Sequence, residues 1–371
     1  MRIGLNLLAV RARDPVGVER FVRNVIGHLR LPDEAQCRIA LRKGVNEHDA
    51  LGVEFFSRNL RTTVTHWYVG PTVSRVLIEM LLLSVLFYRC DTVLSANNFG
   101  PLFGKRSQKR IVVVHDVWFL SDSYDGTKLA RILFRLLLKI QLFLSHKIVT
   151  VSHFSKCAIE NEMEINPNAI SVVTNCLDKT EFSFSDADSK TKIDAYFVLI
   201  GSDRNNKNVS RACEAFCRYK LETNNQISLV LVGSYSKAFT DRLRAQLPNA
   251  AGGSITVSGY VARDVLLELI RNSRGVVFPS LYEGFGIPVI ESLSFGKPVL
   301  VCRGTASQEF AGPMGVVVDG KDVSDMVRGF KELATFRSPI SQGELGQMIR
   351  NFYDCQACAD ELQSTFARHG T

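Results

Sequence analysis

Two glutamates eight positions apart, Glu283 and Glu291, bracket the turn Gly284-Phe285-Gly286-Ile287-Pro288. The run ahead of it, Gly275 to Phe278, has the length and β-branched content of a buried parallel strand, and Pro279 ends it. Ile287 to Phe295 resumes a helical pattern, and Pro298 to Val301 reads as the next strand. The two glycines let the backbone come close to a ligand, and a helix start points N–H groups outward, so the junction suits an anion. Glu283 then lies in the loop beside the anion. Glu291 lies about a turn inside the helix, on the flank where sugar or ribose hydroxyls need an acceptor. This is the chemistry of a sugar-nucleotide site. The plainer alternative, a loop acid and an unrelated helix-surface acid, leaves the Gly-x-Gly turn between an apolar strand and an apolar helix unexplained.

A departing nucleotide diphosphate needs fixed positive groups. Gly284 to Gly286 offers backbone donors, and the segment Gly201 to Asn208 offers a second set after the strand-like run Tyr196–Ile200, where doubly wound sheets collect phosphates. Lys207 stands there at a helix start, a place the helix dipole makes unfavourable for a cation, which favours a functional reading over a solvated lysine. Arg204 is near enough in the loop to add a second charge. His115 ends the apolar run Ile111–Val114, again at a carboxyl edge, with Asp116 beside it.

The elements that must hold these residues alternate along the chain. Strand-like runs at Ile3–Ala9, Thr92–Ser95, Ile111–Val114 and Ile148–Val151 are followed by Tyr196–Ile200, Ser228–Val232, Ile255–Val257, Val276–Phe278 and Val299–Val301, with helical patterns between them. Such alternation predicts parallel sheets. Between Asn175 and Ala195 the chain is polar and without period, Asp178 to Glu181 and then Ser183 to Lys192, the natural linker. The expected division is an N-terminal domain over 1–182 and a C-terminal domain over 193–352, and Phe352 to Phe366 reads as a terminal helix.

Ser280-x-x-Glu283-Gly284-Phe285-Gly286-x-Pro288-x-x-Glu291 resembles the signature of the family-4 retaining glycosyltransferases, and other segments follow that family in order. Pro15 to Phe21, with Gly17, is similar to its first glycine loop, Val113 to Asp116 to its strand-end His-Asp, and Ile148 to Ser155 to its strand and helix start. Asn175-x-x-Asp178 is similar to its Asn-Gly-Val-Asp turn, and Gly259-Tyr260-Val261 to its Gly-Tyr-Val. The resemblance implies the α/β GT-B architecture, two facing Rossmann-like domains with a cleft between them, the first completed by a C-terminal helix within 353–371. It implies that Glu283 faces the donor sugar, Glu291 the ribose, and Lys207 the phosphates, with the backbone at Gly17, Gly259, Gly284, Phe285, Gly286 and Ile287 also contributing. Tyr260 belongs to the nucleobase loop, and His115 approaches the sugar as a catalytic group with Glu283 and Lys207. Asn206 stands where the family has an arginine, which leaves Arg204 as the candidate replacement. Arg303 to Glu309 parallels a further family segment, with Gln308 in place of its proline. The implied reaction is transfer of a sugar, mannose from GDP-mannose foremost, with retention and without a metal ion. The acceptor is a lipid-linked or growing glycan. A sugar-nucleotide epimerase and a non-catalytic relative are the competing readings.

Composition sets the outer limits. A chain of 371 residues with 46% hydrophobic content suits two Rossmann-sized domains. The net charge is +8; residues 1–180 carry 24 Lys+Arg against 16 Asp+Glu, and the remainder carries 21 of each. Basic charge confined to the first half fits an anionic carrier or membrane face, whereas the basic residues are not interleaved with aromatics as a nucleic-acid module requires. Val76 to Phe87 and Ile132 to Leu144 are too short and too charged to span a bilayer. The second reads either as a core helix with a solvated stripe at Arg135 and Lys139 or as a helix resting on the membrane interface. No apolar run near the start has the form of a secretion signal, so the expected place is the cytoplasm, with peripheral contact at the inner face. Nine scattered cysteines are expected to be separate thiols of a reducing compartment, and Cys355-x-x-Cys358 is not expected to bind metal.

Overall fold

The computed structural model describes residues 1–11, 17–59, 61–70, 72–182, 195–247 and 253–366, the side chains of Thr72 and Val73 excepted. The stretch 183–192 of the expected linker and the glycine loop at 15–16 lie outside the described residues. The chain divides into two units. The first comprises Met1–Leu120, Gly126–Asp178 and Tyr353–Thr371, and the second comprises Ser121–Asp125 and Lys179–Phe352.

The first unit is built on seven strands: β1 (Arg2–Leu7), β2 (Gln36–Arg42), β3 (Thr62–Trp67), β4 (Thr92–Ser95), β5 (Lys109–Val114), β6 (Lys147–Thr150) and β7 (Ile170–Val172). Their order is β3-β2-β1-β4-β5-β6-β7, and every neighbouring pair is parallel. The second unit has six: β8 (Tyr196–Ser202), β9 (Ser228–Ser234), β10 (Ile255–Gly259), β11 (Gly275–Phe278), β12 (Val299–Cys302) and β13 (Gly315–Val318). Their order is β10-β9-β8-β11-β12-β13, also parallel throughout. The direction of winding therefore reverses between β1 and β4 in one sheet and between β8 and β11 in the other. A doubly wound sheet binds ligands at the carboxyl ends flanking that reversal.

The central strands β4, β11 and β12 are buried at every residue and without charge, because helices cover both sheet faces. In the second unit Phe330 packs on Phe197, Phe216 and Tyr219 with ring centroids 5.4–6.0 Å apart, which fixes the helix Val323–Thr335 over the sheet. Hydrophobic pattern does not disclose β2, β3, β7 and β13, and for three of them the reason is physical. β2 carries Gln36 and Arg38 on its exposed side, β3 is a polar edge, and β7 has only three residues.

The stretch from Val76 to Phe87 is mostly helix, with a π-helical turn, Ile78–Leu82, set between Thr72–Leu77 and Leu83–Leu86. The charge that interrupts the pattern, Glu79, is buried, and Leu77, Leu81, Leu82 and Val85 are exposed instead. The helix Lys128–Leu144 is likewise no core helix. It buries only Leu138, Gln141 and Leu142, while Leu129, Ile132, Leu136 and Phe143 face outward at 76%, 64%, 56% and 82% exposure. Arg135 and Lys139 are drawn to the end of the helix His153–Met163, donating to the Glu162 carbonyl at 3.0 Å and the Glu164 carboxylate at 2.6 Å. Among the described residues no helix is long and apolar enough to cross a membrane.

The cysteines are not all separate. Cys176 and Cys355 form a disulfide within the first unit, across 179 positions of sequence. The helix Cys355–Ser364 packs there too: Gln363 accepts from the Arg30 amide at 3.2 Å, and Leu177 donates its amide to the Tyr353 carbonyl at 2.9 Å. Cys213 and Cys217 lie in the core of the second unit, and burial raises both thiols above their usual range.

Candidate functional site

The second unit's site begins at the reversal between β8 and β11. β11 ends at Phe278, and the loop Pro279–Gly286 leads into the helix Ile287–Ser294. Gly286 precedes that helix with φ of +107°, a conformation that strains any side chain, and a Cβ there would lie 2.8 Å from Ser307 Oγ. From the neighbouring β8, the chain turns through the 3-10 segment Asn205–Lys207 before the helix Val209–Thr223. The two loops are stitched together: Leu281 donates its amide to the Asn206 carbonyl at 2.7 Å, and Asn206 Nδ2 donates to the Tyr282 carbonyl at 3.4 Å.

That stitching brings Lys207 and Glu283 into direct contact, Nζ on Oε1, although 76 positions separate them. The ammonium also stands 5.4 Å from the ring of Phe278. Both side chains are partly buried, which strengthens a pair that solvent would otherwise screen. Asn206, the departure from the family pattern, is buried and serves the loop junction, whereas Arg204 is exposed.

Glu291 is not a surface acid. It is 1% exposed, in the second turn of its helix, and its Oε1 meets Arg263 Nη2 at 2.7 Å. Arg263, first residue of the helix Arg263–Asn272, also holds Glu181 Oε2 through Nη2 at 2.7 Å and Nε at 3.1 Å. Burial works against the guanidinium's charge, but Glu291 and Glu181 outweigh it and hold the group above its usual value. Sequence reasoning missed both Arg263 and Glu181. One signal was available: Arg263, like Lys207, is a cation at a helix start.

The remaining candidates divide by what they can offer. Gly284 is buried, and Phe285 and Ile287 are buried side chains, Phe285 against Phe310 with centroids 4.2 Å apart, so these residues can present a ligand only with backbone. Gly259 has φ of +72° where β10 shifts register, and Tyr260 after it is exposed. Gln308 accepts from the Gly304 amide at 2.8 Å, and Glu309 is exposed. No group of three or more His, Cys, Asp or Glu among the described residues is placed to hold a metal ion.

In the first unit, Gly17 opens the helix Gly17–Asn24; it is exposed, and a Cβ there would meet none of the described atoms within 4 Å. His115 follows β5 and is buried against the edge of Phe21's ring. Burial lowers its pKa to about 4, so it is neutral at pH 7. Its Nε2 lies 2.8 Å from the Ala96 carbonyl, which can only accept; the proton is therefore on Nε2, and Nδ1 is left as an acceptor. Asp116 accepts from the Trp118 amide at 3.0 Å and shapes the turn.

Residues 181–346, the stretch that contains Lys207, Glu283 and Glu291, match the family of glycosyl transferases group 1. The chain is 34% identical over 130 residues to O-antigen chain mannosyltransferase B of Escherichia coli, 34% of each protein. It is 25% identical over 249 residues to O-antigen chain mannosyltransferase RfbU of Salmonella typhimurium, 66% of this chain and 64% of that protein. It thus spans about a third and just under two-thirds of these relatives' lengths. Among solved structures, WaaG, a glycosyltransferase involved in lipopolysaccharide biosynthesis, superposes with a TM-score of 0.70 at 14% identity, over 99% of this chain and 100% of that one. The fold is GT-B.

Proposed function

We propose that the chain is a retaining glycosyltransferase that moves mannose from GDP-mannose to a lipid-linked or growing glycan acceptor in cell-surface polysaccharide synthesis. The observation that carries the reading is the Lys207–Glu283 contact at the β8/β11 reversal, inside the stretch that matches the glycosyltransferase family. Lys207 and the backbone of Gly284 to Ile287 meet the diphosphate as charge develops on it. Glu283 accepts hydroxyls of the donor sugar, Glu291 those of the ribose, and Arg204 reaches the phosphates from the loop's open side. Loop backbone at Gly259, with Tyr260, borders the nucleobase. A carboxylate already engaged by an ammonium is a weak nucleophile, so Glu283 supports attack by the acceptor on the face the nucleotide leaves, hence retention. Neutral His115 supplies Nδ1 as an acceptor for a sugar hydroxyl, and Gly17 leaves room for backbone approach. The family match and the two mannosyltransferase relatives support the mannosyl donor.

Membrane contact belongs to the same reading. Of the twenty exposed large apolar side chains among the described residues, fifteen are in the first unit, the basic one. The outward row Leu129, Ile132, Leu136 and Phe143 has Lys128 and Arg131 on the same helix, a combination that lies on an anionic interface.

The test is incubation of the protein with a panel of nucleotide sugars. Stabilisation by GDP-mannose and transfer of mannose to an acceptor extract with the anomeric centre retained are the expected results. Isomerised donor would make it an epimerase, an inverted product would remove the retaining mechanism, and no binding of any nucleotide would leave a non-catalytic relative.

A further inference from the structure

We propose that Arg263 is a positioning residue for nucleoside recognition, holding Glu291 and contributing a donor of its own to the ribose; this rests on the reading of Glu291 as the ribose acceptor. A carboxylate at 1% exposure is costly to bury unless a cation accompanies it, and Arg263 is that cation at 2.7 Å. The guanidinium is itself fixed from a second side by Glu181, through Nη2 and Nε. Three of its five N–H groups are accounted for by this fork. Nη1 is buried and has no hydrogen-bond partner among the described residues. A buried donor left unpaired is destabilising, so a ligand atom is its natural complement.

Nη1 and Nη2 share one carbon, which places the unused donor beside the carboxylate that Nη2 holds. The pair therefore presents a donor and an acceptor side by side. A hydroxyl needs both: it donates to Glu291 and accepts from Arg263 Nη1. A deoxyribose carbon can do neither. The ligand chemistry assigned to Arg263 and Glu291 together is a ribose hydroxyl, and the property they confer is preference for ribonucleotides over deoxyribonucleotides. Lys207 and Glu283 take no part in this discrimination.

Calorimetric titration with GDP and UDP and with their 2′-deoxy forms tests the assignment on the full chain, its Arg263→Gln and Arg263→Lys variants, and Glu291→Gln. A hydrogen bond to a charged group corresponds to roughly ten- to hundredfold in affinity, and that is the ribose preference expected of the unaltered protein. Arg263→Gln should lose most of that preference by weakening the ribose forms and leaving the deoxy forms nearly unchanged. Arg263→Lys keeps the ion pair and the fold but has no second fork nitrogen, so it should bind the deoxy forms normally and still lose the preference. Equal weakening of both sugar forms in the two variants, or no change in either, would overturn the role of Arg263. Glu291→Gln separates this from the underlying reading. If it abolishes the preference while the Arg263 variants keep it, only the Arg263 assignment fails; if it keeps the preference, the reading of Glu291 itself fails.

Discussion

Lys207 stands 76 positions from its partner Glu283, and their contact gives the clearest residue-scale prediction. Lys207→Ala removes the positive group proposed to meet the diphosphate and leaves Glu283 without the ammonium it contacts. Sugar transfer should fall roughly a hundredfold or more, the scale of losing one fixed donor to a developing charge, while the circular dichroism spectrum is unchanged. Two buried ionisable groups in the first unit make its stability respond to pH in opposite directions. His115, with a pKa lowered to about 4, takes up a proton more readily when unfolded, so its contribution is present above about 6.5 and fades as pH falls toward 4. Glu79 is opposite in sign. Burial pushes it to about 8 even with Arg75 at 3.6 Å, so it costs nothing below about 4.5 and destabilises progressively as pH rises to 8. Between pH 4.5 and 6.5 the two partly cancel, and above that Glu79 acts alone. Glu79→Gln should accordingly flatten the loss of stability from pH 6.5 to 8 in urea titrations, and an unchanged slope would show that Glu79 does not titrate there. The glutamate pair and Lys207 were legible because loop chemistry is written locally, in glycines, strand ends and a misplaced cation. Arg263 was not, because its meaning lies in two carboxylates, one 28 positions ahead of it and one 82 behind it, in no recognisable spacing.

At the scale of elements, hydrophobic pattern locates the central strands and misjudges the helices at the surface. β4 is legible to the residue, since a parallel strand buried at every position carries a short run without charge, here Thr-Val-Leu-Ser. β3 is invisible, because an edge strand reading Thr-Thr-Val-Thr-His-Trp has little to bury. The helix Lys128–Leu144 misleads in the other direction: its apolar residues satisfy a core pattern, yet the first unit leaves most of them exposed. Phe143→Glu should therefore not destabilise the fold, since the side chain is 82% exposed, and should reduce co-sedimentation with anionic vesicles severalfold. Phe330→Ala is the contrasting case. It removes a ring packed on three others in a fully buried layer and should cost about 3–5 kcal/mol in chemical denaturation.

For the whole molecule, the alternating pattern suffices to anticipate two parallel sheets, and the strand order in each reverses its winding once, as in doubly wound folds. The first unit is assembled from separate stretches of chain, with Tyr353–Thr371 returning to it after the whole of Lys179–Phe352; the family resemblance implies such a return, whereas no local pattern does. The Cys176–Cys355 bond lies just inside that unit on both sides of the excursion. With the bond intact, a single protease cut between 179 and 352 should leave one covalent species on a non-reducing gel and two fragments after reduction. The same connectivity has a mechanical meaning. Tension applied at the two ends of the chain passes from Cys176 to Cys355 through sulfur, so the intervening 178 residues, Lys179–Phe352 among them, form a side loop that bears no load.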